Sequence, residues 1–249
     1  MIPPVDLSFI DGELGRLSDE LEAAYEDQGG DPDTDPRILL QPLNELIDRL
    51  RRPEREGAEI EPKGDEASAR ATEIADLANQ GISLLSRLSA LADNLGRASE
   101  ARAVEGLTLP LACWLARRGG EISDISTAVN AAAALANRLR QPEDLATLYG
   151  LLSELVNAAS PRLSQDSARA EANRPWRVLL LNRAIVATRS HRPALMEEAF
   201  ESLVEQLPED APEFFREGMG QMEALDYPAQ VRRVVERYYE KWCERRVLH

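Results

Sequence analysis

Lysine, cysteine and histidine are scarce in this 249-residue chain: there are two Lys (Lys63 and Lys241) against 27 Arg, two Cys and two His. So few Cys and His argue against a disulfide scaffold and against a zinc site built from those residues. No apolar run approaches the roughly 18 residues of a membrane span. The opening residues Met1–Asp6 lack the basic region and apolar core of a secretory signal, so a cytoplasmic location is expected. Positive charge is also in short supply. With 44 acidic and 29 basic side chains, the formal net charge is −15 and the pI about 4.7. Such a surface repels phosphate backbones and anionic lipid, which disfavours general nucleic-acid or membrane binding. What remains is ordinary for a globular protein: 43% hydrophobic and 29% charged residues. Arg in place of Lys, with abundant Ala and Leu, points to a GC-rich, bacterial genome.

The two ends differ in character. Residues 1–105 carry 24 acidic and 11 basic side chains, whereas 106–249 carry 20 and 18. All three Trp lie at position 114 or later. Leu7, Ile10, Leu14, Leu17, Leu21 and Ala24 alternate in steps of three and four, the spacing of one helical stripe ending at Gly29-Gly30. Leu39, Leu43, Leu46 and Leu50 mark a second helix from Pro36 to Arg52. Residues 53–64 are charged and rich in breakers, and read as a mobile linker.

From Asp65 to Glu100 an uninterrupted pattern predicts one long helix with a seam through Ile74, Leu77, Gly81, Leu84, Leu88, Leu91, Leu95 and Ala98. Leu77, Leu84, Leu88, Leu91 and Leu95 are expected to be buried, with Trp114, Leu179 and Phe200. Such a seam serves packing within the chain or pairing with a second copy. Beyond residue 103 helices alternate with Gly or Pro breaks, over 104–118, 123–140, 143–159, 176–190, 194–207, 213–225 and 229–246. Hairpins beginning near 104, 143, 176 and 211 recur at the spacing of an α-α solenoid. The expected fold is all-α: an acidic helical bundle over 1–103, then stacked α-α hairpins over 104–249.

The last two hairpins resemble degenerate tetratricopeptide repeats, over about residues 176–242. Trp176, Leu179, Leu180 and Arg183 fall on the first-helix positions of that family, as do Phe215, Gly218, Met219 and Met222. Met196, Phe200, Leu203 and Pro208 match the second helix, as do Val231, Val235 and Tyr238, with larger residues in place of the family's small ones. The turn from Leu225 to Ala229 is similar to the family's inter-helix turn. The resemblance implies peptide or protein binding on a concave face.

Signals for chemistry are weak. Asp31, Asp33 and Asp35 open a calcium-loop spacing, but Pro36 and Pro42 stand where Gly and a bidentate Glu are needed, so an acidic turn is expected. Cys113 lies in an apolar run and reads as packing. Cys243 has only the terminal His249 near it in sequence, and His191 sits in an inter-helix turn. No phosphate-binding loop, H-E-x-x-H or G-x-S-x-G occurs. No catalytic residue, metal or cofactor is expected.

One stretch departs from the acidic background. Between Arg162 and Arg192 there are seven Arg against Asp166 and Glu171. This stretch calls for an anionic neighbour: the acidic N-terminal region, a second copy, or an acidic partner segment. Arg177, Arg183 and Arg189 step by six, which spreads them about 120° apart around a helix, so they form no single stripe. Arg174 and Arg177 share a face beside Trp176, and that end is the expected anionic contact. Arg174, Arg177, Trp176, Arg183, Arg189 and Arg192 are the candidate interaction residues. The functional expectation is a non-catalytic protein-interaction module, an adaptor or chaperone-like protein with an unidentified protein partner. The alternatives are a homo-oligomeric scaffold built on the 65–100 helix, and an enzyme or nucleic-acid binder using the Arg-rich face with Trp176 for stacking.

Overall fold

The computed structural model describes residues 1–27, 29–55, 65–165 and 174–244. Among these the protein is all-helical, with no strand; the sole extended pairing is a clip in which Ile122 N–H donates to the Ala158 carbonyl and Ser160 N–H to the Ile122 carbonyl. The chain gathers into two compact units. One holds Pro3–Ala134 with Asn157–Ser160, the other Leu135–Val156 and Pro161–His249 together with Met1–Ile2. The expected division at 103/104 falls inside a helix of the first unit.

In the first unit, α1 (Leu7–Asp27) starts where the Asp6 carboxylate accepts the Phe9 N–H at 2.8 Å. It stops at Gly29 and Gly30, both in the left-handed region. All six apolar residues of its expected stripe are buried. Asp35 caps α2 (Arg37–Arg55) by accepting from the Arg37 N–H and holds the Arg37 guanidinium, so the acidic turn is occupied with helix initiation. The α2 helix runs three residues into the expected linker; residues 56–64 lie outside the described residues.

The long helix is shorter than expected. The α3 helix (Asp65–Asn94) ends at Gly96, whose φ of 69° lets Arg97 N–H reach the Ala92 carbonyl and Gly96 N–H the Asp93 carbonyl. The chain then reverses into α4 (Ala98–Gly106), which packs back along α3, and α5 (Thr108–Ala116) follows after a turn at Leu107. Because α2, α4 and α5 all pack on α3, its buried arc is wider than one seam. Leu84, Leu88 and Leu95 are buried as expected, but Leu77 and Leu91 are half-buried, while Ala78, Ile82, Leu85 and Ala92 are buried instead. Gly81 marks the closest approach: a Cβ there would lie 3.1 Å from both Leu46 and Leu111. Asn79 ties α3 to the loop after α5, donating to the Glu121 carbonyl and accepting from the Ser123 N–H.

The remaining helices are α6 (Ser126–Arg138), α7 (Pro142–Ala158), α8 (Pro161–Gln165), α9 (Pro175–Arg189), α10 (Pro193–Gln206), α11 (Ala211–Ala224) and α12 (Ala229–Tyr239), followed by a π-helical turn over Glu240–Glu244. Their limits follow the prolines, which favour the first helical turn because the missing N–H is unpaired there in any case. In the second unit α9 packs on α10, α11 on α12, and α10 on α12. The core of this unit is an aromatic cluster in which Phe200 lies edge-on to Phe214, Phe215 and Tyr238, at centroid distances of 5.7, 5.1 and 5.1 Å. Trp114, Leu179 and Phe200 are buried, as expected.

Candidate interaction groove

The three Arg of α9 point in different directions, as a step of six dictates, and each meets a partner in the second unit. Arg177 donates through Nε and Nη2 to Oδ1 of Asp210, at 2.8 and 2.6 Å. Arg183, only 4% exposed, donates to the Tyr149 hydroxyl at 2.6 Å and the Ser153 hydroxyl at 2.9 Å, and also to Glu198. Arg189 donates to the carbonyls of Ala136 and Leu139, both at 2.9 Å, closing the C-terminal end of α6. A guanidinium at a helix C-terminus offsets the partial negative charge of the last carbonyls.

The contacts of Arg177, Arg183 and Arg189 described above, with the Asp210 and Glu198 carboxylates and the Ala136 and Leu139 carbonyls, come from their own unit. One expectation is corrected here. Trp176 offers no stacking surface: it is 6% exposed, and its buried Nε1 has no hydrogen-bond acceptor among the described residues. Arg174 is half-buried at the start of α9, and Arg192 is exposed ahead of α10. Arg169 and His249 lie outside the described residues.

The α9 helix is apolar around most of its circumference. Trp176, Leu179, Leu180, Ala184, Val186 and Ala187 face the core, while Val178 and Leu181 are half-buried and Ile185 is 43% exposed. A helix with apolar residues left over beyond its core stripe has a second face to cover. Here that face opens on a groove of about 800 Å³. Ile185, Thr188 and Arg189 of α9 form one wall; Phe214, Glu217, Gln221 and Met222 of α11 form the other. Asn137 and Arg140, at and just beyond the end of α6, close one side, and Leu225 and Tyr227 the far end of α11. Gly220 also lines it, and a Cβ at that position would meet nothing within 4 Å.

The walls are held in place. Phe214 is locked edge-on against Phe200 and Phe215. Arg189 is fixed by its two carbonyl bonds. Tyr227 lies edge-on to His191, a non-Gly residue in the left-handed region at φ 58°, where the chain turns from α9 into α10. Burial pushes the Tyr227 phenol above its ordinary pKa, so it remains a neutral hydroxyl. A smaller pocket of about 220 Å³ shares Arg140, Arg189, Leu225 and Tyr227 with the groove and adds His191 and Asp226.

Cys113 is buried, the Cys243 thiol donates to the Pro212 carbonyl at 3.2 Å, and among the described residues no group of three His, Cys, Asp or Glu is placed to hold a metal. No described helix is long and apolar enough to cross a membrane.

Of the expected interaction residues, only Arg189 lines the groove. Ile185 and Phe214 went unread in the sequence, and Leu225 was read only as the start of a turn; the available signal was α9 itself, with more apolar positions than one buried stripe accounts for. Compared with protein-family models, curated proteins and solved structures, the chain matches none.

Proposed function

We propose that this protein is a non-catalytic interaction module, an adaptor or chaperone-like protein that holds a segment of a partner protein in the groove between α9 and α11. One observation carries the reading. Among the described residues, the exposed large hydrophobic side chains are Met1, Ile38, Ile185 and Leu225, and two of these four line the same groove. Apolar residues gathered on a concave surface mark a docking site, whereas scattered ones carry no such meaning. In this reading α9–α10 and α11–α12 are successive tetratricopeptide-like hairpins of a solenoid-like region, with the first helix of each facing the partner. The rigid aromatic wall at Phe214 supports it, because a preorganised wall loses little entropy on binding.

Random-peptide display tests the reading. Selection on the wild-type protein is expected to enrich sequences with large apolar residues, and Ile185→Asp and Gly220→Leu are expected to abolish that enrichment while Ile38→Asp leaves it intact. Equal enrichment on all four proteins, or none on any, would refute it.

A further inference from the structure

The groove has one charged end. Arg140 is exposed, and no carboxylate among the described residues pairs with it. Across the smaller pocket stand Arg189 and His191. Both Nη atoms of Arg189 are engaged by carbonyls at the end of α6, so its charge is held in position, while Arg140 is exposed. The opposing charge is weak. Asp226 turns fully to solvent and faces Arg232 at 3.7 Å, and Glu217 lies on the α11 wall of the larger groove, outside this pocket. In a protein with a net charge of −15, a pocket with two Arg and a His around a single outward-facing Asp is a local reversal of sign. It adjoins the apolar surface made by Ile185, Phe214 and Met222.

We propose that the groove selects a peptide segment carrying an acidic side chain beside its apolar ones, with the carboxylate seated between Arg140, Arg189 and His191. The inference rests on the reading of the groove as a peptide site, and it adds the chemistry of the occupant. Apolar side chains against Ile185 and Phe214 supply most of the affinity. The carboxylate sets the register of the segment and steers its approach, because complementary charge contributes to specificity and on-rate more than to total affinity. The acidic remainder of the surface repels the same segment elsewhere, which confines it to this end of the groove.

Fluorescence anisotropy on the full chain tests this, with short fluorescein-labelled peptides that share Leu and Phe anchors and carry Glu, Gln or Lys at one adjacent position. Wild type is expected to bind the Glu peptide about three- to tenfold more tightly than the Gln peptide, with the Lys peptide weakest. Arg140→Glu, at an exposed position that leaves the core untouched, is expected to reverse that order. Ile185→Asp is expected to weaken all three peptides alike. Equal affinities for Glu, Gln and Lys on the wild type, with Ile185→Asp still weakening each, would overturn the acidic selection and leave the peptide groove standing. No binding by any peptide, or binding untouched by Ile185→Asp, would overturn both. A single-stranded oligonucleotide that displaces the Glu peptide at the same salt concentration would reassign the pocket to phosphates, and the acidic-peptide inference would fail.

Discussion

Arg177 and Asp210 join the first turn of α9 to the start of α11 through two N–H donors on one carboxylate oxygen, with only 27% and 21% of their side chains exposed. The bond ties together the ends of the two helices that wall the groove. Hydrogen bonding to Asp210 raises the Arg177 pKa further above its already high ordinary value, so the pair's cation is permanent. Each single substitution, Arg177→Leu or Asp210→Asn, is expected to cost about 1–2 kcal/mol in urea unfolding, between the values for exposed and buried pairs. The double variant should cost less than the sum, since the two residues share one interaction. Strict additivity would show that the contact contributes nothing in solution.

Arg183 is a buried cation whose Nε donates to Ser153 and whose Nη2 donates to Tyr149 and Glu198, and its guanidinium stacks over the Tyr149 ring at 4.7 Å. Truncation to Ala removes a large buried side chain and the donors from which Tyr149, Ser153 and Glu198 accept, with an expected loss of about 2–4 kcal/mol. Arg183→Met refills the volume with an apolar chain and is expected to lose clearly less, because a buried charge gains little over a well-packed hydrophobe. Chemical denaturation of the two variants side by side decides it; equal losses would place the effect in the charge rather than in the packing.

Alkaline pH should loosen the second unit. Burial is the main cause that pushes the Tyr149 phenol up to about 12, and it raises Tyr227 and Tyr238 in the same direction. A phenol with a raised folded-state pKa binds its proton more tightly when folded than when unfolded, where the value is about 10. Its contribution to stability is therefore whole below pH of about 10 and is lost as pH rises through the folded value of about 12. Melting temperatures across that window are expected to fall, and Tyr149→Phe should flatten the fall. An identical pH slope in wild type and Tyr149→Phe would exclude Tyr149 as its source.

Two glycines in helices should respond in opposite ways. At Gly81 a Leu side chain would drive into Leu46 and Leu111, both within 3.1 Å of the Cβ position, at a cost of about 1–3 kcal/mol. At Gly220 an added Cβ meets open space, so Gly220→Ala is expected to stabilise α11 by about 0.5–1 kcal/mol through helix propensity alone. Thermal melts of both variants check the pair. A stabilising Gly81→Leu would mean that α3 stands further from its neighbours than described.

Helix placement was largely legible in the sequence, because its signals are local. Proline at the first turn of α7, α9 and α10, the paired glycines after α1 and the three-four spacing of Leu7 through Ala24 each act within a few residues. Those signals put most helix limits of the second unit within about two residues of their observed places. The expected 104–118 helix is instead divided at Leu107 between α4 and α5, and another miss, a helix drawn through Gly96, came from reading Leu95 and Ala98 as a continuing stripe. A glycine is tolerated inside a helix or ends it, and only the packing of α4 back on α3 selects the second outcome.

The candidate site was less legible, for a different physical reason. Composition showed that the stretch around α9 carries excess Arg, and helical geometry showed that Arg177, Arg183 and Arg189 diverge. Which acceptor each one meets depends on residues 30 or more positions away in sequence, as with Asp210 for Arg177, Tyr149 for Arg183 and the Ala136 carbonyl for Arg189. The same holds for Ile185, Phe214 and Leu225, each an unremarkable apolar residue until α9 and α11 stand side by side. Local backbone preference is written residue by residue, so the chain alone determined an all-helical protein and most of the breaks in its second unit. Burial, charge pairing and the groove belong to pairs of distant segments, and only the tertiary structure decided those.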